Sequence, residues 1–111
     1  MQHALNLPAS CKTVLITGAA GGLGKAFAVE CASRGWNLFL TDRAGSLLEQ
    51  LAAALRSAYG VQAFTQPGDL TDPLLRESLF ERIRAAGLSI HMLINVAGID
   101  HEGLFFEQSS Q

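Results

Sequence analysis

Four short runs of apolar and β-branched residues alternate with stretches patterned for helix, and this alternation constrains the fold more than any other feature. The runs cover residues 13–17 (TVLIT), 36–41 (WNLFLT), 61–65 (VQAFT) and 90–96 (IHMLINV). The first and fourth are almost continuously apolar, the pattern of strands buried on both faces of a parallel sheet. His91 falls inside the fourth run and is expected in the core with its hydrogen bonds satisfied. Residues 22–34, 46–59 and 72–86 separate the runs. They place Leu23, Phe27 and Cys31, then Leu48, Leu51, Ala52 and Leu55, then Leu75, Leu79, Ile83 and Ala86 at helical spacing. Gly35, Gly60 and Gly87 are the stop signals, and Asp72 with Pro73 reads as an N-cap followed by a first helical position. The resulting β-α-β-α-β-α-β order demands right-handed crossovers, with helices on both faces of a parallel sheet in three α/β/α layers.

Composition narrows the function classes. The chain has 111 residues, 49% hydrophobic and 16% charged, which suits one folded domain. Its 8 basic and 10 acidic residues give a net charge of -2 with no basic block, so nucleic acid is not an expected partner. No apolar run reaches the roughly 18 residues that span a bilayer, and no membrane association is expected. Residues 1–12 read as a polar lead-in and lack the pattern of a signal peptide. The two cysteines, Cys11 and Cys31, are too few for a disulfide framework, and a buried thiol is expected at Cys31. A reducing, cytoplasmic setting is expected. His3, His91 and His101 are scattered without metal-ligand spacing.

The residues most directly tied to chemistry follow the first strand. Thr17-Gly18-Ala19-Ala20-Gly21-Gly22-Leu23-Gly24 joins that strand to the first helix and holds four glycines. A helix N-terminus offers unpaired N–H groups and a partial positive charge, so a pyrophosphate can sit there if the backbone comes close enough. Gly18 serves the tight turn, Gly22 the close approach to phosphate, and Gly24 the packing of the helix. The literal G-x-G-x-x-G pattern is absent, since Phe27 stands where its last glycine would fall. Asp42, 18 residues after Gly24, ends the second strand with a carboxylate suited to a ribose diol. Arg43 beside it is suited to a 2′-phosphate. NAD is therefore the expected cofactor, with NADP left open by Arg43.

Together these features resemble the short-chain dehydrogenase/reductase family. Its T-G-x-x-x-G-x-G motif is matched by Thr17, Gly18, Gly22 and Gly24. Gly18, Gly21 and Gly24 also satisfy the T-G-x-x-G-x-x-G spacing of the extended branch. Asn95-Val96-Ala97-Gly98 is similar to the N-N-A-G motif of the shorter branch, with valine in place of the second asparagine. The resemblance implies a Rossmann-type sheet with strand order 3-2-1-4. It implies that Asn95 ties the central strands together and that Ala97 and Gly98 lie beside the ribose. Asp69-Leu70-Thr71 resembles the family's aspartate motif, which implies that Asp69 meets the adenine amino group, an interaction suited to a pure acceptor. Ala20, Gly21, Leu23 and Leu70 complete the implied cofactor-contacting set.

The family's reaction is hydride transfer between a nicotinamide cofactor and a carbonyl or alcohol, using a serine and a Y-x-x-x-K pair. Tyr59 is the only tyrosine, with Ala63 four residues on, and the only lysines are Lys12 and Lys25. No catalytic residue is assigned, so residues 13–111 are expected to form a dinucleotide-binding domain truncated before the catalytic half. A small-molecule carbonyl or alcohol substrate is expected only for a longer form. The alternative is a non-catalytic nucleotide-binding fragment or interaction module. The fourth strand is expected to be an unprotected apolar edge that favours homo-oligomers.

Overall fold

The computed structural model describes residues 12–96. The elements are β1 (Thr13–Thr17), α1 (Gly22–Ser33), β2 (Asn37–Asp42), α2 (Gly45–Tyr59), β3 (Ala63–Pro67), α3 (Pro73–Ala85) and β4 (Ile90–Asn95). All strand pairs are parallel, in the order β3-β2-β1-β4, which is the Rossmann-type arrangement.

Alternate residues of the two central strands feed two separate apolar layers. Val14, Ile16, Leu38 and Leu40 pack with Ala28 and Ala32 of α1 and with Leu48, Leu51, Ala52 and Leu55 of α2. Leu15 and Phe39 point the other way, against Leu79 and Ile83 of α3. Complete burial of a leucine such as Leu48 is worth about 2 kcal/mol of transfer free energy. Phe64 stacks on Phe39 at a centroid distance of 5.9 Å, and the Arg82 guanidinium lies 5.3 Å from the Phe39 ring. Arg82 also donates to the Thr65 carbonyl and to Gln66 Oε1, tying α3 to the β3 edge.

The α2 stripe is buried as its spacing predicts. In α1 the contact face is different from the one predicted. Leu23 and Phe27 are exposed and Cys31 is half-buried, whereas Gly24, Ala28 and Ala32 face the sheet. The helix lies too close to the strands for large side chains, so the small residues make the contact. Partial burial and the neighbouring Glu30 push the Cys31 thiol pKa up. In α3, Leu79 and Ile83 are buried and Leu75 is half-buried, while Ala86 is exposed at the C-cap. Asp72 accepts from the Leu74 N–H with Pro73 at the first turn, as expected.

Strand boundaries shift by one or two residues in β2, β3 and β4. β2 begins at Asn37, because Trp36 still belongs to the turn that donates its N–H to the Cys31 carbonyl. Trp36 packs partly against the core at the opposite end of β2 from Asp42, and Lys12 Nζ lies 5.4 Å from its ring centroid. β3 runs to Pro67, where an edge strand tolerates a missing N–H. Val61, buried in the core, precedes the ladder.

The largest departure is β4. It takes the edge position expected of it among the described residues, but His91, Met92 and Leu93 are exposed, so neither its two-sided burial nor a core histidine holds. α3 covers Leu15 and Phe39 but leaves Leu93 60% exposed.

Candidate functional site

Parallel strands bring all their carboxyl ends to one side, and ligands of open α/β sheets bind there, where the strand order reverses. A cleft of about 770 Å³ lies at that end, bordered by all four strand termini or the loops that follow them. Thr17 and Asn95, register partners on β1 and β4, form part of its floor, and the Thr17 hydroxyl donates to Asn95 Oδ1. Leu79, Phe80 and Leu93 supply an apolar wall.

The glycine loop makes the opposite wall. Gly18 has φ 69°, a left-handed conformation that lets the chain turn sharply off β1. A Cβ at Gly24 would run into the Gly18 carbonyl oxygen and come within 2.8 Å of the Ala19 Cα. Only glycine allows α1 to begin this close to the turn. A Cβ at Gly22 would meet nothing within 4 Å. Gly21, the extended N-cap, has no side chain to satisfy the N–H groups of the first turn.

Asp42 holds this loop in place. Its Oδ2 accepts from the Ala20 N–H at 2.9 Å and its Oδ1 from the Ala44 N–H at 2.9 Å. One bond further along, the Ala19 N–H donates to the Thr41 carbonyl at 3.2 Å. The carboxylate that sequence reasoning assigned to a ribose thus fastens the glycine loop to the end of β2.

The third wall follows β3. Asp69 Oδ1 accepts from the N–H and the hydroxyl of Thr71, at 2.9 and 2.8 Å, and its Oδ2 pairs with Arg43 Nη2 at 2.9 Å. The Thr71 N–H, then the Thr71 hydroxyl, then Arg43 hold the Asp69 carboxyl below the usual aspartate range. Arg76 Nη1 donates to the Leu70 carbonyl at 2.7 Å and steadies the same loop. The Thr41 hydroxyl is fully buried beside the cleft with no hydrogen-bond partner among the described residues.

Of the sequence-predicted residues, Thr17, Gly18, Ala20, Gly21, Asp42, Arg43, Asp69, Leu70 and Asn95 border the cleft. Gly22 and Leu23 lie exposed at the start of α1, and Gly24 is buried beneath the turn. Ala97 and Gly98 lie outside the described residues. Thr41, Thr71 and Arg76 were not singled out in advance as site residues. Thr71 adjoins the aspartate motif, and Arg76 stands four residues after the Asp72 N-cap, where a long side chain points back to the helix start. Tyr59 lies elsewhere, on a groove of about 480 Å³ between α1 and α2 that it shares with Lys25.

Comparison with known proteins adds four findings. The family profile described as short chain dehydrogenase matches residues 12–111. The chain is 38% identical over 89 residues to a very-long-chain 3-oxoacyl-CoA reductase of Anas platyrhynchos, covering 78% of this chain and 28% of that protein. Among solved structures it is similar to L-sorbose reductase from Gluconobacter frateurii complexed with NADPH and L-sorbose, with a TM-score of 0.72 and 27% identity over 77% of this chain and 32% of the other. It is also similar to NAD+-bound xylitol dehydrogenase, with a TM-score of 0.66 and 31% identity over 74% of this chain and 31% of the other. The chain thus spans less than a third of each of these proteins.

Proposed function

Because the chain belongs to the short chain dehydrogenase family, we propose that it is the dinucleotide-binding portion of an oxidoreductase that moves hydride between a nicotinamide cofactor and a carbonyl or alcohol substrate. The observation that carries this reading is the contact between Gly24 and the Gly18 carbonyl, which brings the uncapped start of α1 to the rim of the cleft. The open space at the Gly22 Cβ position and a cleft of about 770 Å³ fit a bulky, phosphate-bearing ligand.

In this reading the chain's own groups bind and orient. The first-turn N–H groups at the start of α1 take the pyrophosphate, with Gly18, Ala20 and Gly21 shaping the approach and Gly24 letting the helix start close to the turn. Asp42 reaches the adenosine ribose while holding the loop. Asp69 and Leu70 border the adenine, and Asn95, Ala97 and Gly98 lie toward the nicotinamide half, with Thr17 steadying Asn95. The cofactor supplies the hydride chemistry when bound. NAD suits the Asp42 carboxylate, and NADP engages Arg43.

A second reading is favoured by the placement of Tyr59. It ends α2, about 21 Å of helix from the end that borders the cleft. In that reading the 111-residue chain binds a dinucleotide without turning substrate over. Calorimetric titration with NADH and NADPH, paired with an assay of carbonyl reduction, tests both readings. We expect saturable one-to-one binding without turnover by this chain, and turnover by a longer form. Absence of binding at millimolar cofactor would sink the dinucleotide reading.

A further inference from the structure

We propose that Arg43 and Asp69 form a latch across the adenosine end of the cleft, which sets the preference between NAD(H) and NADP(H) by making a 2′-phosphate compete with Asp69 for the Arg43 guanidinium. The inference rests on the dinucleotide reading above. Arg43 leaves the end of β2 and Asp69 follows β3, yet Nη2 and Oδ2 lie 2.9 Å apart. Asp69 is anchored from behind, because Oδ1 accepts both donors of Thr71. Its Oδ2 is thereby held as a fixed acceptor facing Arg43.

The neighbouring groups single out this pair. Asp42 precedes Arg43 in the chain, but both its oxygens accept from main-chain N–H groups. The other guanidinium on the cleft, that of Arg76, donates to the Leu70 carbonyl. Arg43 is therefore the cation that follows the ribose-side carboxylate directly, and its side-chain partner is Asp69. Phosphate and carboxylate both dock on the guanidinium fork, so the two compete directly. The Asp69 charge also repels a dianionic phosphate beside it. With the two side chains 64% and 43% exposed, the pair is weak enough to be displaced. It biases cofactor choice without blocking either ligand, and the unphosphorylated ribose of NAD(H) leaves it closed.

The test is calorimetric titration of the 111-residue chain, Asp69→Asn, Arg43→Gln and the double variant with NADH and NADPH. Asparagine keeps a carbonyl acceptor for Thr71 and removes the charge from Arg43. We expect Asp69→Asn to raise NADPH affinity relative to NADH by about fivefold, the scale of an exposed ion pair, and Arg43→Gln to cancel that gain. Arg43→Gln alone should lower NADPH affinity relative to NADH. An unchanged NADPH-to-NADH ratio in either single variant, or a gain that survives loss of Arg43, overturns the latch and leaves the dinucleotide site standing. Failure of the parent chain to bind either cofactor overturns the site itself, and the latch with it.

Discussion

Gly22 and Gly24 sit two residues apart on the first turn of α1 and would answer a methyl group in opposite ways. At Gly24 a Cβ meets the backbone of Gly18 and Ala19, which has no rotamer by which to yield. Gly24→Ala should destabilise the fold by about 1–3 kcal/mol, the usual scale of overpacking, and lower the thermal midpoint. At Gly22 a Cβ enters open space. Gly22→Ala should leave the midpoint unchanged or slightly higher, given the better helix propensity of alanine, and weaken cofactor binding. Paired melting curves and titrations check this contrast, and equal effects of the two substitutions on both readouts would contradict it. The turn at Gly18 and the close packing at Gly24 were legible in sequence because glycine spacing is a steric statement. The Arg43–Asp69 pair was not, because the two residues are 26 positions apart and only the parallel register of β2 and β3 makes them neighbours. The same holds for Thr41, whose buried hydroxyl is a property of its surroundings.

At the scale of elements, spacing located every helix and strand of the described region, but burial depended on neighbours. The α2 stripe could be read directly because large side chains fill a wide gap over β2 and β3. The large residues of α1 pointed to the wrong face, because the Gly24 contact sets that helix down so close that alanines make the interface. β4 reads as apolar on both faces, yet a face is buried only where another element covers it, and among the described residues β4 pairs with β1 and leaves His91, Met92 and Leu93 exposed. Among the described residues no strand pairs with its other edge, which lies beside exposed Met92 and Leu93. Copies of the chain should therefore associate as concentration rises, and Leu93→Lys should suppress this by placing a charge on the apolar flank. A monodisperse monomer by light scattering at high concentration would refute the expectation.

Over the whole molecule, the sheet divides labour between its two ends. Every strand delivers its carboxyl terminus to the cleft, so β1, β2, β3 and β4 each contribute to one site from separate parts of the chain. The opposite end carries Trp36 beneath Lys12, a strand length of about 20 Å from Asp42. That separation has an optical consequence. A ligand in the cleft is too far from the indole to quench it by collision, but a reduced dihydronicotinamide absorbs where tryptophan emits. Binding of NADH should dim Trp36 emission by resonance energy transfer and brighten the cofactor's own blue emission, while NAD+ leaves the indole unaffected. Equal quenching by both redox forms would contradict this placement. The chain's single tryptophan thus becomes a gauge of the cofactor's oxidation state, read from the far end of the sheet.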